Sequence, residues 1–370
     1  MNILILNWKD IKHPQVGGAE IIVYELAKRL VRHGYKVTWF CRSFKRGHPQ
    51  EMMDGIKVIR RGNLLTMYLF APFYYWGLPT KPDLVIDVSN TVYWQTPLWA
   101  WKSKKLAYLN QLALDVFYYE YPRLISRLGI FFERVQYLTY KFVPFACYAN
   151  STKSDLVKIG VPKRNIQTFS LGVDHLRYFP GRKSSTPLFI CVNRLVKMKR
   201  TDLAITAMKY VIKTHPKARL IVVGTGYDRP RLELLRNNLH LQAWVSFADE
   251  NIWFFGKNAK DDKVKLMQNA WALIFPSVKE GWGMTVTECA ACGTPAIVSS
   301  VTGLVDSVVH NKTGIVLNSN PSAEQIAAAM IDLISRPKLR NKLSQGAIKF
   351  ASEFTWEKSC QDFERIINNK

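Results

Sequence analysis

Carboxylates are in short supply in this sequence: 28 Asp and Glu face 52 Lys and Arg across 370 residues, a formal net charge of +24. Such an excess attracts phosphate-bearing partners, whether nucleotides, nucleic acid or anionic lipid. It is stronger in the first half, where residues 1–185 hold 27 basic side chains against 12 acidic ones. Cysteine is sparse and scattered, and Cys289 with Cys292 forms a single C-x-x-C. A structural zinc site normally needs a second pair, so these two read as small apolar side chains on one buried helix face, and no metal is expected. G-x-G-x-x-G is absent, which disfavours a Rossmann dinucleotide site. The opening MNILILNWKD lacks the basic start, long apolar stretch and cleavage site of a signal peptide, so a cytoplasmic location is expected. The longest charge-free run, 62–80, approaches a membrane span in length. Asn63, Pro72, Gly77 and Pro79 interrupt it, and it reads better as a buried or membrane-facing helix.

What is present is an alternation of strand-like and helix-like runs from end to end. NILILN (2–7) precedes a run at 17–35 whose Ile21, Ile22, Leu26, Ala27 and Leu30 recur at helical spacing. Strand-like runs continue at 35–41, 82–89, 105–111, 145–150 and 165–170. The stretch 170–187 has no periodicity and is rich in Gly, Pro and Ser, which marks a domain boundary. A second series follows at 188–193, 219–224, 253–256, 271–277, 295–300 and 313–318, with a helix at 200–214. Strands separated by helices imply parallel β-α-β units. The expected fold is α/β with two Rossmann-like, doubly wound domains, 1–175 and 186–350. The final segment, 351–370, is helical and a candidate to pack back on the first domain. Ligands of such sheets bind at the carboxyl ends of the strands, so a cleft between the domains is the expected site.

Four features at those strand ends could carry chemistry. Gly17 and Gly18 open the first helix, where small residues and free N–H groups suit an anion. Arg194 and Lys199 lie just past the first strand of the second domain, where a phosphate-binding cation belongs. In KEGWGMTVTECA (279–290), Glu280 stands before Gly281-Trp282-Gly283 and what reads as a helix start. Glycines let a ligand approach the backbone, and the helix start adds about half a positive charge. A carboxylate beside that pocket accepts hydrogen bonds from hydroxyls. Glu288, about a turn further on, reaches a second set, and phosphates beside hydroxyls are what a sugar nucleotide offers.

GGAE (17–20), NRLVKMKR (193–200), FFG (254–256), FPSVKEGWGMTVTECAACGTPAIVSS (275–300) and TGIVL (313–317) resemble, in order, the motifs of the GT-B retaining glycosyltransferases of family 4, also called group 1. LGVDHLRYF (171–179) is similar to that family's interdomain linker. The resemblance covers nearly the whole chain. It implies transfer of a sugar from a nucleotide diphosphate sugar to a glycan or lipid-linked acceptor, in cell-surface polysaccharide, glycolipid or glycoprotein glycan synthesis. No cofactor or metal is implied, since the nucleotide sugar is a substrate. Gly17 and Gly18 would approach the donor phosphates, and Arg194 and Lys199 would neutralise them. Glu280 would bind the transferred sugar, and Gly281, Trp282, Gly283, Met284 and Thr285 would line the donor. Glu288 would hold the ribose, and Phe255 and Lys257 would sit near the base. Where the family often has a His in an HQ dipeptide, this chain has Asn110, which hydrogen-bonds but cannot titrate.

Other classes fit less well. A nucleic-acid-binding protein would need an exposed basic stripe and gives no reason for EGWG, and an epimerase lacks the dinucleotide fingerprint. A non-catalytic sugar-nucleotide-binding protein is the remaining alternative. A membrane surface is a candidate partner, with a peripheral location at the inner face. Trp94, Trp99 and Trp101 lie beside Lys102, Lys104 and Lys105, and 123–142 mixes basic and aromatic residues in the manner of an interfacial helix.

Overall fold

A computed structural model describes residues 1–248 and 257–368, and for 257–262 the backbone alone. The described residues form two compact units. Unit 1 comprises 1–117, 123–172 and 356–370, and unit 2 comprises 118–122 and 173–355.

Unit 1 is built on eight strands: β1 (Asn2–Leu6), β2 (Lys36–Cys41), β3 (Gln50–Met53), β4 (Ile56–Arg60), β5 (Leu84–Ser89), β6 (Lys104–Leu109), β7 (Phe145–Cys147) and β8 (Ile166–Thr168). Their order is β3-β4-β2-β1-β5-β6-β7-β8, parallel throughout except for the β3–β4 pair. That antiparallel hairpin turns at Asp54 and Gly55, both at positive φ. An Asp-Gly pair between apolar runs is the sequence signal for such a turn. Helices α1 (Gly18–Arg32), α2 (Met67–Trp76), α4 (Arg123–Val135) and α5 (Asn150–Lys158) connect the strands, and α3 (Val116–Glu120) begins in unit 1 and continues into the 118–122 segment of unit 2.

Unit 2 has β9 (Leu188–Val192), β10 (Arg219–Val223), β11 (Val245–Ala248), β12 (Ala272–Phe275), β13 (Ala296–Ser299) and β14 (Gly314–Leu317), in the order β11-β10-β9-β12-β13-β14 and all parallel. Its helices are α6 (Thr201–Thr214), α7 (Arg229–Asn238), α8 (Lys257–Asn269), α9 (Met284–Ala291), α10 (Leu304–Ser307), α11 (Ala323–Ser335) and α12 (Pro337–Ala351). The unbroken apolar run of β9 follows from burial on both faces: Phe189 and Cys191 enter one core, Ile190 and Val192 the other. Cys289 and Cys292 are buried in that second core.

The strand expected at 253–256 lies outside the described residues, whereas β11 at 245–248 was not anticipated. The charge-free run 62–80 yields only the ten residues of α2, and among the described residues no helix is long and apolar enough to cross a membrane. The chain passes from unit 1 to unit 2 between Gly172 and Val173, and α13 (Trp356–Asn368) belongs to unit 1. Phe363 of α13 enters a ring cluster with Phe169 and Tyr108 at centroid distances of 5.2 and 6.1 Å. Arg29 of α1 pairs with Glu357 at 2.9 Å.

The loop from β1 to α1 is pinned by a buried ion pair. Arg60 Nε donates to Asp10 Oδ2 at 2.6 Å, and both side chains are almost fully buried. Asp10 also accepts the Lys12 N–H at 2.8 Å, and Arg60 reaches Glu51 and the His48 carbonyl at 2.9 Å. Removing one partner of a buried pair leaves the other charge uncompensated, whereas replacing both with apolar groups is often tolerated. Asp10→Ala should therefore lower unfolding free energy by about 3 kcal/mol or more in denaturant melts, and Asp10→Ala with Arg60→Met should recover part of that loss.

Candidate functional site

In unit 2 the carboxyl ends of β9 and β12 bring Lys199 and Glu280 together. Both residues are buried, and Lys199 Nζ donates to Glu280 Oε1. The ammonium also lies 5.4 Å from the centre of the Phe275 ring, at the end of β12. Burial, and then the nearby Arg194 charge, hold the Lys199 pKa below its ordinary value; Glu280 pulls it back up, without fully offsetting them. Arg194 is exposed and has no ion pair among the described residues.

The loop carrying Lys199 is fixed from two sides. Gly224 and Gly226 follow β10 at φ 145° and 153°, and a Cβ on either would meet the carbonyl oxygens of Asn193 and Leu195 at 1.9 and 2.1 Å. Only glycine permits that approach. From the other side, residues 118–122 belong to unit 2. Glu120 accepts the Met198 N–H at 3.0 Å and the Tyr227 hydroxyl, and the Tyr119 ring lies 5.9 Å from the Arg200 guanidinium.

Glu280 is positioned through its backbone. Its N–H donates to the Thr302 carbonyl at 3.1 Å, and a Cβ at Gly303 would meet the Glu280 carbonyl oxygen at 2.4 Å. Gly281, Trp282 and Gly283 are buried, while Met284 and Thr285 are half-buried. Gly283 caps α9 at φ 90°, a left-handed conformation that glycine adopts without strain. The N–H groups of Met284 and Thr285, in the first turn, have no carbonyl partner within the helix. The Trp282 ring is committed to packing, edge to face with Phe354 at 5.3 Å.

Glu288, one turn into α9, has its own cation: Lys263 of α8 donates to Glu288 Oε2 at 2.9 Å. The Tyr178 ring lies 5.6 Å from the same ammonium. Burial alone would lower the Lys263 pKa, but the Glu288 charge and hydrogen bond together with Tyr178 more than offset it, and the net shift is upward. Burial and then Glu288 push the Tyr178 hydroxyl up as well. Lys263, Tyr178, Glu120 and Gly303 were not anticipated from the sequence. Gly303 had a usable signal, a glycine shortly after the PAIVSS strand. Phe255 lies outside the described residues, as does the side chain of Lys257.

Gly17, Gly18 and Asn110 belong to unit 1. Gly17 precedes α1, but its N–H donates to Glu20 Oε2 at 2.7 Å, and Lys9 lies 3.4 Å from that carboxylate. Gly18 is exposed. Upstream, His13 is buried and its Nδ1 accepts the Gln15 N–H at 3.0 Å. Burial, then Arg42 and Lys9, lower its pKa to about 4. Asn110 lies beyond β6 with its amide fully engaged. Nδ2 donates to the Ser89 carbonyl at 3.1 Å and to Asn90 Oδ1 at 3.3 Å, and Oδ1 accepts the Tyr148 hydroxyl at 3.1 Å.

Residues 174–350 match the glycosyl transferases group 1, and residues 16–177 match glycosyltransferase family 4. The chain belongs to this family. Mannosylfructose-phosphate synthase of Agrobacterium fabrum is 24% identical over 97% of this chain and 88% of its own length. The matches to several other curated relatives span about half of those proteins. Sucrose-phosphate synthase from Thermosynechococcus elongatus superposes with a TM-score of 0.82 at 19% identity, covering 99% of this chain and 98% of that one. HepE of Anabaena, solved in complex with UDP-glucose, gives 0.76 at 16% identity, with 99% of each chain covered. This glycosyltransferase therefore has the GT-B fold.

Two predictions follow from these charges. Glu280→Gln leaves Lys199 buried without a counter-charge, so stability should fall by roughly 3 kcal/mol. Because the unfolded lysine holds its proton more tightly than the buried one, the loss should be present at neutral pH and shrink as pH rises through the range where the buried lysine loses its proton, which melts at several alkaline pH values read directly. For His13, with a folded pKa of about 4 below the ordinary value of about 6.5, the stability of the neutral ring is present above pH 6.5 and lost as pH falls towards 4. Its imidazole resonances should show no titration between about pH 5.5 and 8, and a midpoint inside that range would contradict the assignment.

Proposed function

We propose that this protein is a retaining, metal-independent transferase that moves a hexose-like sugar from a nucleotide diphosphate sugar to a glycan or lipid-linked acceptor in cell-surface glycan synthesis. The observation that carries the reading is the buried Lys199–Glu280 pair beside the start of α9, with the exposed Arg194 close enough for its charge to act on Lys199. In this reading Lys199, Arg194 and the first N–H groups of α9 receive the diphosphate, and Glu280 turns from its lysine towards the sugar hydroxyls. Glu288, already held by Lys263, orients the ribose. Gly283 supplies the left-handed turn that opens α9 beside Glu280, and Gly281, between them, adds no side chain. Gly17 and Gly18, at the start of α1, enter this reading through the family resemblance, with the Gly17 N–H already held by Glu20. Asn110 presents a fixed amide and no titrating group. The bound UDP-glucose of HepE supports a donor of this class.

The transfer then needs no protein base. The bond between the anomeric carbon and the diphosphate oxygen breaks while the acceptor oxygen bonds to the same face of that carbon. The departing oxygen takes the acceptor hydroxyl proton. Charge develops on the diphosphate, so fixed cations there act on the transition state more than on the ground state.

Titration calorimetry with uridine, guanosine and adenosine diphosphates and their sugars tests the reading. Arg194→Ala and Lys199→Ala should each weaken the preferred diphosphate by about 1.5–3 kcal/mol, roughly ten- to more than a hundredfold. Glu288→Gln should weaken the nucleotide with or without its sugar. Unchanged affinity in both cation variants would overturn the assignment.

A further inference from the structure

Helix α4 is inside out. Its buried face carries Ser126 and Glu133, and its outward face carries Leu124, Ile125, Leu128, Phe131, Phe132 and Val135, each at least 40% exposed. The polar side chains are turned inward for a specific reason. Glu133 accepts the Ala113 and Leu114 N–H groups at 2.7 and 2.6 Å, and Ser126 Oγ donates to the Phe117 carbonyl at 2.9 Å. Those bonds lock the rotation of the helix. At about 100° per residue, the six apolar side chains fall within an arc of about 120°. Arg123, Arg127 and Arg134, all exposed, form a strip along one border of that arc. Glu133 is the only acidic residue between 121 and 142, so the outward face has no negative charge.

A second apolar surface lies on the same side of the unit 1 sheet. The α2 residues Met67, Ala71 and Tyr75 pack with Leu4, Leu6 and Val85. Ala107 and Leu109 lie in the core with Tyr137 and Tyr140, which follow α4. Strand registers pair Leu4 with Val85 and Asp87 with Ala107, so the two cores occupy one sheet face. From α2, Leu69, Phe73 and Trp76 point to solvent, and Trp76 stacks with the exposed Trp101 at 6.4 Å. Of the three tryptophans expected beside the lysines, only Trp101 is exposed; Trp94 and Trp99 are core residues.

We infer that this face of unit 1 docks on an anionic lipid bilayer, with α4 lying in the plane of the interface. The apolar arc enters the acyl boundary, the arginine strip meets the phosphates, and Trp76 and Trp101 sit at headgroup level. Charge complementarity selects this occupant, because an outward face that is apolar and only positive suits a surface that is apolar inside and negative at its edge. The inference deepens the proposed function by naming where a lipid-linked acceptor would be met, and rests on it only for that purpose.

Co-sedimentation of the full chain with vesicles of phosphatidylcholine containing phosphatidylglycerol, against phosphatidylcholine alone, tests it. Partitioning should require the anionic lipid and fall with added salt. Replacing Arg123, Arg127 and Arg134 with Gln should weaken it by about two orders of magnitude, and Leu128→Glu with Phe131→Glu and Phe132→Glu should abolish it. Nucleotide binding, measured on the same variants, should be unchanged, which separates loss of docking from loss of the fold or failure of the transfer reading. Equal partitioning onto both vesicles, or onto neither, would overturn the inference. So would a dimer in light scattering that the glutamate variant dissolves without any vesicle binding.

Discussion

A lysine ammonium withdrawn from water needs a counter-charge, and much of unit 2 is arranged to give one to Lys199. Glu280 reaches it because Gly303 lets the chain after β13 lie against the Glu280 backbone. Lys199 reaches Glu280 because Gly224 and Gly226 let two strand-end loops touch. The pair keeps a cation and a carboxylate close together and away from water. Asp10 and Arg60 form the corresponding pair in unit 1, enclosed and further anchored by Glu51 and backbone groups.

Much of this was legible in the residues. Parallel strands buried on both faces appear as short apolar runs, and LFICV, ALIF and AIVS could be read as such. The EGWG loop was legible because glycines beside a carboxylate before a helix have few structural uses. The β3–β4 hairpin carried its own signal in Asp54-Gly55 and was overlooked in favour of the β-α-β rhythm. Lys263 is a different case. It lies in KNAKDDKVKLMQN, where four lysines are spaced around a polar helix and nothing local says which one turns inward. Only the packing of α8 against α9 selects it. Glu120 was equally hidden, because its partners Met198 and Tyr227 are far away in sequence.

Helix α4 shows why amphipathic pattern alone does not set orientation. A stripe of Leu, Ile and Phe ordinarily marks the buried side. Here two backbone N–H groups at 113 and 114 need an acceptor, and Glu133 supplies it from the opposite side of the helix. With Glu133 held inward by these two hydrogen bonds and Ser126 by a third, the apolar stripe is left on the outward side.

The position of α13 matters for how the chain is made. Phe169 and Tyr108 are synthesised early, yet the Phe363 ring that packs against both leaves the ribosome only after all of β9 to β14. Domains generally form in the order of their synthesis. Here unit 1 must wait, one helix short and with an apolar groove along α1, until the whole of unit 2 has emerged. Translation speed across residues 173–355 therefore sets how long that groove stays open to chaperones and to other nascent chains.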